Sequence, residues 1–447
     1  MSPVRKYLVM LFIILASFGS CFGRVYRGDP LVANLDEAYG PADPRAYVTP
    51  ISYIHRQDYE YQPGFYWMKS VAKRFWSTVM RSSQESTRST STSPWLVNVD
   101  DFGAKGYGKD DSTEAFRKAW EKACNSADSV LVIPANKIYH LRPITFSGPC
   151  KSNFTMKVDG KIKASTRRSD YGKDKRHWLV FEKIHNFTVE GWGTIDGNGR
   201  KWWANSCKIN KKLPCKHAPT AVTFMDCTNL RVADLNIRNA QQIHLSFQNC
   251  VNVKALNLSV TAPGNSPNTD GIHVTDTRNI TIQDSVISTG DDCISIVSGS
   301  EYVQARNIQC GPGHGISIGS LGARNSKDHV SNVIVDGAKL RGTTNGVRIK
   351  TWQGGSGYAK NITFQNIEME NVRYPIIIDQ NYCDSRKPCT EETSAVQVSG
   401  VVYKNITGTS ASEEAVKFYC SKTIPCHGIS LEEINLVRRR WKGQCLV

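Results

Sequence analysis

The sequence predicts an all-β fold, a parallel β-solenoid in which successive coils of the chain stack on one another. The first observation is a repeat, because Ile272, Ile294 and Ile316 each begin a short apolar run at an even step of 22 residues. The second is that the runs alternate apolar and polar residues, with no helical pattern between them. A period of this length without helices is typical of stacked β-coils.

One helix is predicted near the start of this solenoid. Residues 97–101 have the pattern of an entering strand and residues 103–108 that of a turn, after which Asp111 offers an N-cap with Glu114 three residues on. The apolar residues that follow share one helical face: Ala115, Phe116, Ala119, Trp120 and Ala123. We expect this helix to cover the open end of the solenoid, where strands would otherwise expose apolar side chains.

Short apolar strands then alternate with turns as far as the end of the chain. The clearest strands are residues 130–133, 154–158, 178–181, 187–189, 222–224 and 429–431. Asparagines precede many of them, at Asn186, Asn229, Asn252, Asn279, Asn307, Asn361 and Asn405. Because asparagine tolerates the left-handed backbone conformation, these positions are interpreted as sharp corners between strands.

Four polar clusters lie beside the repeated apolar runs. They are Asn268-Thr269-Asp270, Asp291-Asp292, Gly313-His314-Gly315 and, in a fourth run led by Val347, Arg348-Ile349-Lys350. Aligning the leading apolar residues puts Asp270, Asp292 and His314 in one column, with Asp291 in the column beside it. Since stacked strands lie about 4.8 Å apart, we expect Asp270 and Asp292 to hold one shared water.

The fourth run places two cations on the same face. Val347 and Ile349 alternate with Arg348 and Lys350, so an inward apolar pair leaves both cations facing outward. Most such pairs are solvated surface charges. Facing an acidic cleft, they can instead bind a carboxylate, the arginine in bidentate fashion and the lysine as a point charge.

This set of clusters resembles glycoside hydrolase family 28, the polygalacturonases. The surrounding segments, residues 268–273, 290–297, 311–322 and 346–357, look like the plant members in particular, and the resemblance extends from about Val97 to the C-terminus. It implies a single-stranded right-handed parallel β-helix with an N-terminal capping helix. It also implies hydrolysis of α-1,4-linked galacturonates in homogalacturonan, with inversion at the anomeric carbon.

The resemblance assigns roles to the carboxylates and the imidazole. Asp291 corresponds to the general acid, and Asp270 with Asp292 to the pair that positions and deprotonates the attacking water. His314 would tune the protonation of the acid. A turn-shaping role or calcium binding is the alternative for Asp291 and Asp292, but the aligned Asp270 and His314 favour catalysis, and no metal or cofactor is expected.

The resemblance also assigns the substrate contacts. Arg348 and Lys350 would bind the sugar at the cleavage point, and Asn268 would contact substrate nearby. Tyr382 would line the same cleft, and packing beside a disulfide-tied loop is an equal alternative. Residues 351–355 and 379–383 look more like endo-acting than exo-acting members, with exo action as the alternative. A pectate lyase and a non-catalytic pectin-binding solenoid are further alternatives that the clusters disfavour.

The N-terminus has the layout of a secretory signal peptide over residues 1–23, with basic residues followed by an apolar run too short to span a bilayer. Residues 24–94 contain an amphipathic patch at 65–80 and end in a Ser/Thr-rich linker. They are interpreted as a removable pro-segment, with a small N-terminal appendage retained in the mature enzyme as the alternative. The catalytic β-helix is expected over residues 95–447. No other apolar stretch approaches spanning length, so no membrane association is expected after removal of the signal.

Cysteines and sequons fit the secretory pathway. Removal of the signal leaves 13 of the 14 cysteines, an odd number that implies a free thiol, and close spacing suggests four local disulfides: Cys207 with Cys215, Cys293 with Cys310, Cys383 with Cys389, and Cys420 with Cys426. Six Asn-x-Ser/Thr sequons lie at Asn153, Asn186, Asn257, Asn279, Asn361 and Asn405. The expected location is extracellular, in the plant cell wall.

The charge of the chain favours a polyanionic partner. The formal net charge is +16, and residues 95–447 keep a surplus of positive charge, with 45 Lys and Arg against 33 Asp and Glu. A basic surface steers and concentrates polyanions. Secretion argues against nucleic acid. The pectic polysaccharide that the resemblance implies as substrate fits both facts, and the enzyme is expected to be a monomer.

Overall fold

The computed structural model describes residues 94–438, apart from residues 152, 173, 386 and 387. The predicted signal peptide at 1–23 lies outside the described residues, and so does the segment that follows it as far as residue 93, including the amphipathic patch at 65–80. Among those that are described, no helix has the length and apolar character needed to cross a membrane.

Within the described residues the chain forms 28 strands and two α-helices. The helices are α1 (Thr113–Cys124) and α2 (Arg200–Ala204), and short 3-10 helices lie at Val99–Phe102, Arg168–Tyr171 and Ala323–Asn325. The strands are β1 (Trp95–Asn98), β2 (Tyr107–Asp111), β3 (Ser129–Ile133), β4 (Ile138–Leu141), β5 (Ile144–Ser147), β6 (Phe154–Val158), β7 (Lys161–Ala164), β8 (His177–Glu182), β9 (His185–Glu190), β10 (Thr194–Asp196), β11 (Thr220–Met225), β12 (Thr228–Ala233), β13 (Asn236–Arg238), β14 (Leu245–Gln248), β15 (Val251–Leu256), β16 (Ser259–Thr261), β17 (Ile272–Thr275), β18 (Arg278–Ser288), β19 (Ile294–Ile296), β20 (Glu301–Cys310), β21 (Ile316–Leu321), β22 (Lys327–Arg341), β23 (Asn345–Trp352), β24 (Ser356–Val372), β25 (Tyr374–Tyr382), β26 (Gln397–Ser410), β27 (Val416–Tyr419) and β28 (His427–Arg438).

These strands form a parallel β-helix, which confirms the predicted all-β solenoid. One sheet takes a single strand from each of ten coils, in the order β5, β8, β11, β14, β17, β19, β21, β23, β25 and β27. The remaining 18 strands cover the other faces, and these join where β18 pairs with both β15 and β16. The strand turns that corner at Asp284, whose φ is 53°.

The predicted stacking of the repeated apolar residues is confirmed. Ile272 pairs with Ile294, Ile294 with Ile316, and Ile316 with Val347. All four side chains are fully buried. The 22-residue step is therefore one complete turn of the solenoid.

The capping helix is also confirmed, with a shift at its start. The predicted face of α1 is buried, and Trp120 packs between Phe146 and Phe154, with ring centroids 4.8 Å away in both cases. The N-cap residue is Ser112 instead of Asp111. Asp111 still accepts a hydrogen bond from the backbone N–H of Thr113 at 3.0 Å, so it serves the helix from one residue further out.

The predicted entering strand at 97–101 is wrong in its second half. Strand β1 ends at Asn98, because the Asn98 side chain accepts a hydrogen bond from the backbone of Asp100 at 3.0 Å and starts a 3-10 turn. Gly103, with φ of 97°, ends that turn.

The asparagine corners are confirmed. All seven predicted asparagines have φ between 49° and 58°. Many donate to the corner residue one coil below, as Asn229 does to Asn186 at 2.9 Å and Asn252 to Asn229 at 3.0 Å. Five of the six sequon asparagines donate their side-chain nitrogen in the same way: Asn153, Asn257, Asn279, Asn361 and Asn405.

All four predicted local disulfides are present. A fifth joins Cys124, the last residue of α1, to Cys150 and ties the cap to the first coils. Among the described residues, Cys227 and Cys250 are free and buried, in line with the free thiol that the odd count implies.

Candidate active site

The four predicted clusters meet on the outer face of the ten-stranded sheet, at the adjacent strands β17, β19, β21 and β23. Backbone hydrogen bonds between neighbouring coils align the four clusters with one another. The N–H of Gly271 donates to the carbonyl of Asp292 at 2.9 Å, and the N–H of His314 donates to the carbonyl of Asp291 at 2.8 Å. Residues separated by a full coil in sequence are thereby brought side by side.

Thr269 and two glycines shape the turns that carry these side chains. Thr269 is fully buried, and its hydroxyl accepts the N–H of Gly290, at 3.0 Å, directly before the paired aspartates. Gly313 and Gly315 flank His314 with φ of 143° and 84°. An added Cβ would lie 2.5 Å and 2.1 Å from backbone oxygens at these two positions, so only glycine fits.

Asp292 is the most enclosed carboxylate of the site. Its Oδ1 accepts from the Ser317 hydroxyl and from Arg348 Nη2, each at 2.8 Å, and its Oδ2 accepts from Lys350 Nζ at 2.9 Å. Burial acts to raise its pKa, but the charges of Lys350 and Arg348 outweigh burial and hold the pKa below its usual range. Asp292 is therefore an ionised group between two cations.

The two cations face outward as predicted, but they are not solvated. Val347 and Ile349 point into the core, and only 6% of Arg348 and 8% of Lys350 is exposed. Exposed pairs of this kind are usually mobile surface charges. Here both side chains are fixed on Asp292, and Arg348 Nε also donates to the Ser317 hydroxyl at 3.0 Å.

Asp291 is the partner of His314. The coil alignment places His314 beside Asp292, and ligand atoms of these two residues lie within 4.8 Å of each other. The hydrogen bond of the ring is made to Asp291, since His314 Nδ1 lies 2.8 Å from Oδ1 of Asp291. The glycine turn around His314 departs from strand alternation, so counting back from Ile316 does not give the hydrogen-bond partner of the imidazole. Asn268 also donates to Asp291, at 3.3 Å, where only a substrate contact had been predicted.

The environment of Asp291 favours its charged form. Burial acts to raise its pKa, but the charge and hydrogen bond of His314, together with Lys350 and Arg348, lower it below its usual range. The side chain remains 17% exposed, against 2% for Asp292. Asp291 is thus the member of the pair that faces solvent.

Asp270 has the opposite electrostatic behaviour. Burial and the negative charges of Asp291 and Asp292 raise its pKa well above the usual range, and neither Lys350 nor a hydrogen bond from the Ser295 hydroxyl offsets them. That bond runs to Oδ2 over 2.9 Å. Among the three carboxylates, Asp270 is the one that holds a proton most strongly.

Sequence reasoning identified Arg348 but missed the three residues that share its column behind the carboxylates. His273, Ser295, Ser317 and Arg348 are consecutive register partners, and His273 Nδ1 lies 2.7 Å from the Ser295 hydroxyl. Because that hydroxyl donates to Asp270, the His273 nitrogen is the donor. Burial lowers the pKa of His273 to about 4. The available signal was the second residue of each repeated run, which is polar in all four.

His244 was also missed. It is fully buried, and its Nδ1 lies 2.9 Å from the backbone carbonyl of Asp270, so it supports the turn that carries this carboxylate. Burial lowers its pKa to about 4. It precedes β14 as Gly271 precedes β17, which is the position that would have identified it.

Tyr382 reaches the site and also packs at its edge. Its ring lies 5.4 Å from Lys350 Nζ and 5.3 Å from the Trp352 ring. It directly precedes Cys383, which is disulfide-bonded to Cys389. Tyr382 thus contacts the predicted site residue Lys350 and also lies beside the disulfide-tied loop. Its role as a cleft residue stays a prediction.

The site is poorly suited to a divalent cation. Ligand atoms of Asp291, Asp292 and His314 lie within 4.8 Å of one another. However, Asp292 is already paired with Arg348 and Lys350, whose charges repel a metal ion, and calcium prefers six to eight oxygen ligands. The donor set favours acid–base chemistry.

Comparisons with known proteins agree with this geometry. Residues 124–446 match the model of Glycosyl hydrolases family 28. Polygalacturonase QRT2 of Arabidopsis thaliana is 62% identical over 348 residues, covering 77% of this chain and 79% of that protein. A polygalacturonase of Persea americana is 63% identical over 342 residues, covering 76% and 74%.

Solved structures show the same fold. The endo-xylogalacturonan hydrolase from Aspergillus tubingensis superimposes with a TM-score of 0.68 at 24% identity, covering 77% of this chain and 93% of that one. The polygalacturonase from Erwinia carotovora ssp. carotovora gives 0.63 at 22% identity, covering 81% and 99%.

Proposed function

Since the chain belongs to glycosyl hydrolases family 28, we propose that it is a polygalacturonase that hydrolyses the α-1,4 linkages of homogalacturonan by an inverting acid–base mechanism. The observation that carries this proposal is the asymmetry of the paired aspartates. Asp291 is partly exposed beside His314, whereas Asp292 is enclosed between Arg348 and Lys350. Two neighbouring carboxylates in different environments are what acid–base hydrolysis needs.

In this mechanism Asp291 protonates the leaving oxygen, because it faces solvent, and Asp270 with Asp292 positions and deprotonates the attacking water. The order of pKa values without substrate is the reverse of what these roles require, since the pKa of Asp270 is raised and that of Asp291 is lowered. A galacturonate carboxylate bound at Arg348 and Lys350 would cancel part of the charge that lowers the pKa of Asp291. Substrate binding thus raises the pKa of the acid where protonation is needed.

Charge balance supports a role for the two cations in binding. Arg348 and Lys350 share one carboxylate, Asp292, which leaves one positive charge for a galacturonate carboxylate. Tyr382 lines the same position through its contact with Lys350. Asn268 donates to Asp291 and contacts substrate near the cleavage point.

We propose endo action in the plant cell wall, by a monomer. Supporting endo action, residues 351–355 and 379–383 resemble endo-acting plant members. Five disulfides among the described residues fit an oxidising, extracellular compartment.

The decisive experiment is incubation of the secreted protein with de-esterified polygalacturonate, with products resolved by size, chain end and unsaturation. We expect new reducing ends without calcium, no unsaturated product, and a rapid fall in polymer length. Asp291→Asn is the matched control and should release none. Unsaturated ends with strict calcium dependence would identify a lyase, and release of monomer alone would identify exo action.

A further inference from the structure

Two loops that are far apart in sequence are joined by one ion pair. Nζ of Lys208 lies 2.9 Å from Oδ1 and 3.2 Å from Oδ2 of Asp384, across a separation of 176 residues. Lys208 lies in the loop closed by the Cys207–Cys215 disulfide, and Asp384 in the loop closed by Cys383–Cys389. Each partner is thus carried by a short covalent ring.

The position of this pair relates it to the active site. The first loop leads into β11 and the second follows β25, and β14, β17, β19, β21 and β23 lie between them in the sheet. At about 4.8 Å for each step, the two parent strands are roughly 29 Å apart. The loops must therefore lean toward each other past the coils that carry Asp270, Asp291, Asp292 and His314.

Lys208 also lines a cavity beside the catalytic aspartates. The cavity has a volume of about 210 Å³ and includes Asn268, which donates to Asp291. Its other basic and aromatic wall residues are Arg168, Trp202, Trp203, Lys216 and His217. None of the described residues that line it carries a carboxylate. Cations beside aromatic faces suit a chain of sugar carboxylates.

We propose that Lys208 is a substrate-binding residue that exchanges its ion-pair partner. It pairs with Asp384 when substrate is absent, and with a galacturonate carboxylate when the polymer enters this cavity. The inference rests on the proposed function, since it takes polygalacturonate as the ligand. Asp384 therefore competes with substrate for Lys208. When substrate displaces Asp384, the ion pair that joins the two loops is broken.

The exchange is energetically easy. The side chains of Lys208 and Asp384 are 32% and 42% exposed, and an ion pair this exposed contributes little to stability. The incoming group is a carboxylate like that of Asp384, so Lys208 keeps an equivalent partner. An uncharged methyl ester offers no such replacement, which makes the exchange selective for de-esterified substrate.

The test is calorimetric binding of a de-esterified oligogalacturonate to the full protein, with every variant built on Asp291→Asn so that the ligand is not hydrolysed. We expect Lys208→Ala to raise Kd about two- to fivefold and Asp384→Asn to lower it by a similar factor. In the Lys208→Ala background, Asp384→Asn should change nothing. All of these variants should bind the fully methyl-esterified oligomer with the same Kd.

The controls separate this exchange from a purely structural tie. Lys339 and Glu368 form another exposed pair, at 3.0 Å, between β22 and β24, and Lys339→Ala and Glu368→Gln should leave Kd unchanged. Equal rises of Kd in Lys208→Ala and Asp384→Asn, with matching losses of Tm, would overturn the proposal. Failure of the unsubstituted protein to release reducing ends would instead refute the proposed function, because the binding measurement does not depend on turnover.

Discussion

The hydroxyl of Ser295 lies 2.9 Å from Oδ2 of Asp270 and donates its proton to that carboxylate. One coil further, the Ser317 hydroxyl donates to Oδ1 of Asp292 over 2.8 Å. Each serine in turn accepts from a basic side chain, His273 for the first and Arg348 for the second. The two carboxylates assigned to the water are thus held by the same construction on successive coils.

Ser295→Ala should lower kcat more than Ser317→Ala. No hydrogen bond to the Asp270 side chain other than that from Ser295 is seen among the described residues, whereas Asp292 keeps Arg348 and Lys350. Loss of one hydrogen bond to a charged group costs about 1.5 to 3 kcal/mol, or roughly ten- to a hundredfold in kcat. Steady-state kinetics across pH would measure this, and an upward shift of the acidic limb should accompany it, because the Ser295 bond lowers the pKa of Asp270.

Ser246→Ala is the matched control for Ser295. Ser246 is buried and is the register partner of His273 one coil below, and its hydroxyl accepts a hydrogen bond from the Gln248 side chain at 3.2 Å. Ser295→Thr should recover much of the lost kcat because it restores the hydroxyl. Equal losses in Ser246→Ala and Ser295→Ala would mean that the column acts only through packing.

Asp270→Asn and Asp292→Asn should change stability in opposite directions at neutral pH. The native pKa of Asp270 is raised above 3.8, so stability falls as pH rises from about 4 through the native pKa. The uncharged asparagine of Asp270→Asn removes this loss, and the variant should be more stable than the unsubstituted protein at pH 7. Removing the charge of Asp292 leaves Arg348 and Lys350 buried without their partner, which costs about 3 to 5 kcal/mol.

Denaturant unfolding at pH 4 and pH 7 would measure both effects. The native pKa of Asp292 is lowered, so its contribution is present above the unfolded pKa and is lost as pH falls through the native value. The gap between the two variants should therefore widen from pH 4 to pH 7. A destabilised Asp270→Asn at pH 7 would contradict the raised pKa.

Lys350→Ala and Arg348→Ala should change the pH profile as well as KM. Loss of the galacturonate contact, worth on the order of 1.5 to 3 kcal/mol, should raise KM strongly. Burial acts to raise the pKa of Asp292 and the two cations oppose it, Lys350 more than Arg348. Removing either cation should therefore move the acidic limb of kcat/KM to higher pH, further for Lys350→Ala. If KM rises and the acidic limb of kcat/KM stays at the same pH, these two residues serve substrate binding alone.

Asp291→Asn should abolish turnover on polygalacturonate while fold and binding persist, because asparagine is isosteric but delivers no proton. A substrate whose leaving group needs no protonation should recover part of the rate in Asp291→Asn and none in Asp292→Asn.

The shared water makes a separate prediction for Asp270→Asn, Asp292→Asn and their double variant. Because both aspartates serve one water, the losses of kcat in the two single variants should not multiply in the double variant. Multiplicative losses would separate the two aspartates in function.

Much of the fold could be predicted because the solenoid repeats its own pattern. The spacing of Ile272, Ile294 and Ile316 defines the register, and that register brings the carboxylates together. The partner of His314 could not be found in this way, because Gly313 and Gly315 take the backbone out of strand geometry. The burial of Arg348 and Lys350 could not be predicted either, because strand alternation gives the direction of a side chain but not what covers it.

The serine column shows a related limit. Ser295 and Ser317 look like ordinary polar alternation until the strands are stacked, and only then do they fall between a base and a carboxylate. The contact between Lys208 and Asp384 depends on two loops whose conformations no repeat specifies.

The coils differ in length, and this separates two kinds of change that the chain can accept. The two turns that lead from Asp270 to Asp292 and from Asp292 to His314 take 22 residues each. In contrast, 43 residues separate Leu179 from its register partner Val222, and 40 separate Ile376 from Val416. Insertions in the long coils would alter the walls of the groove without moving the reacting groups. One residue added to a short coil would misalign the catalytic residues, so new substrate preferences can arise in this architecture through the flanking loops alone.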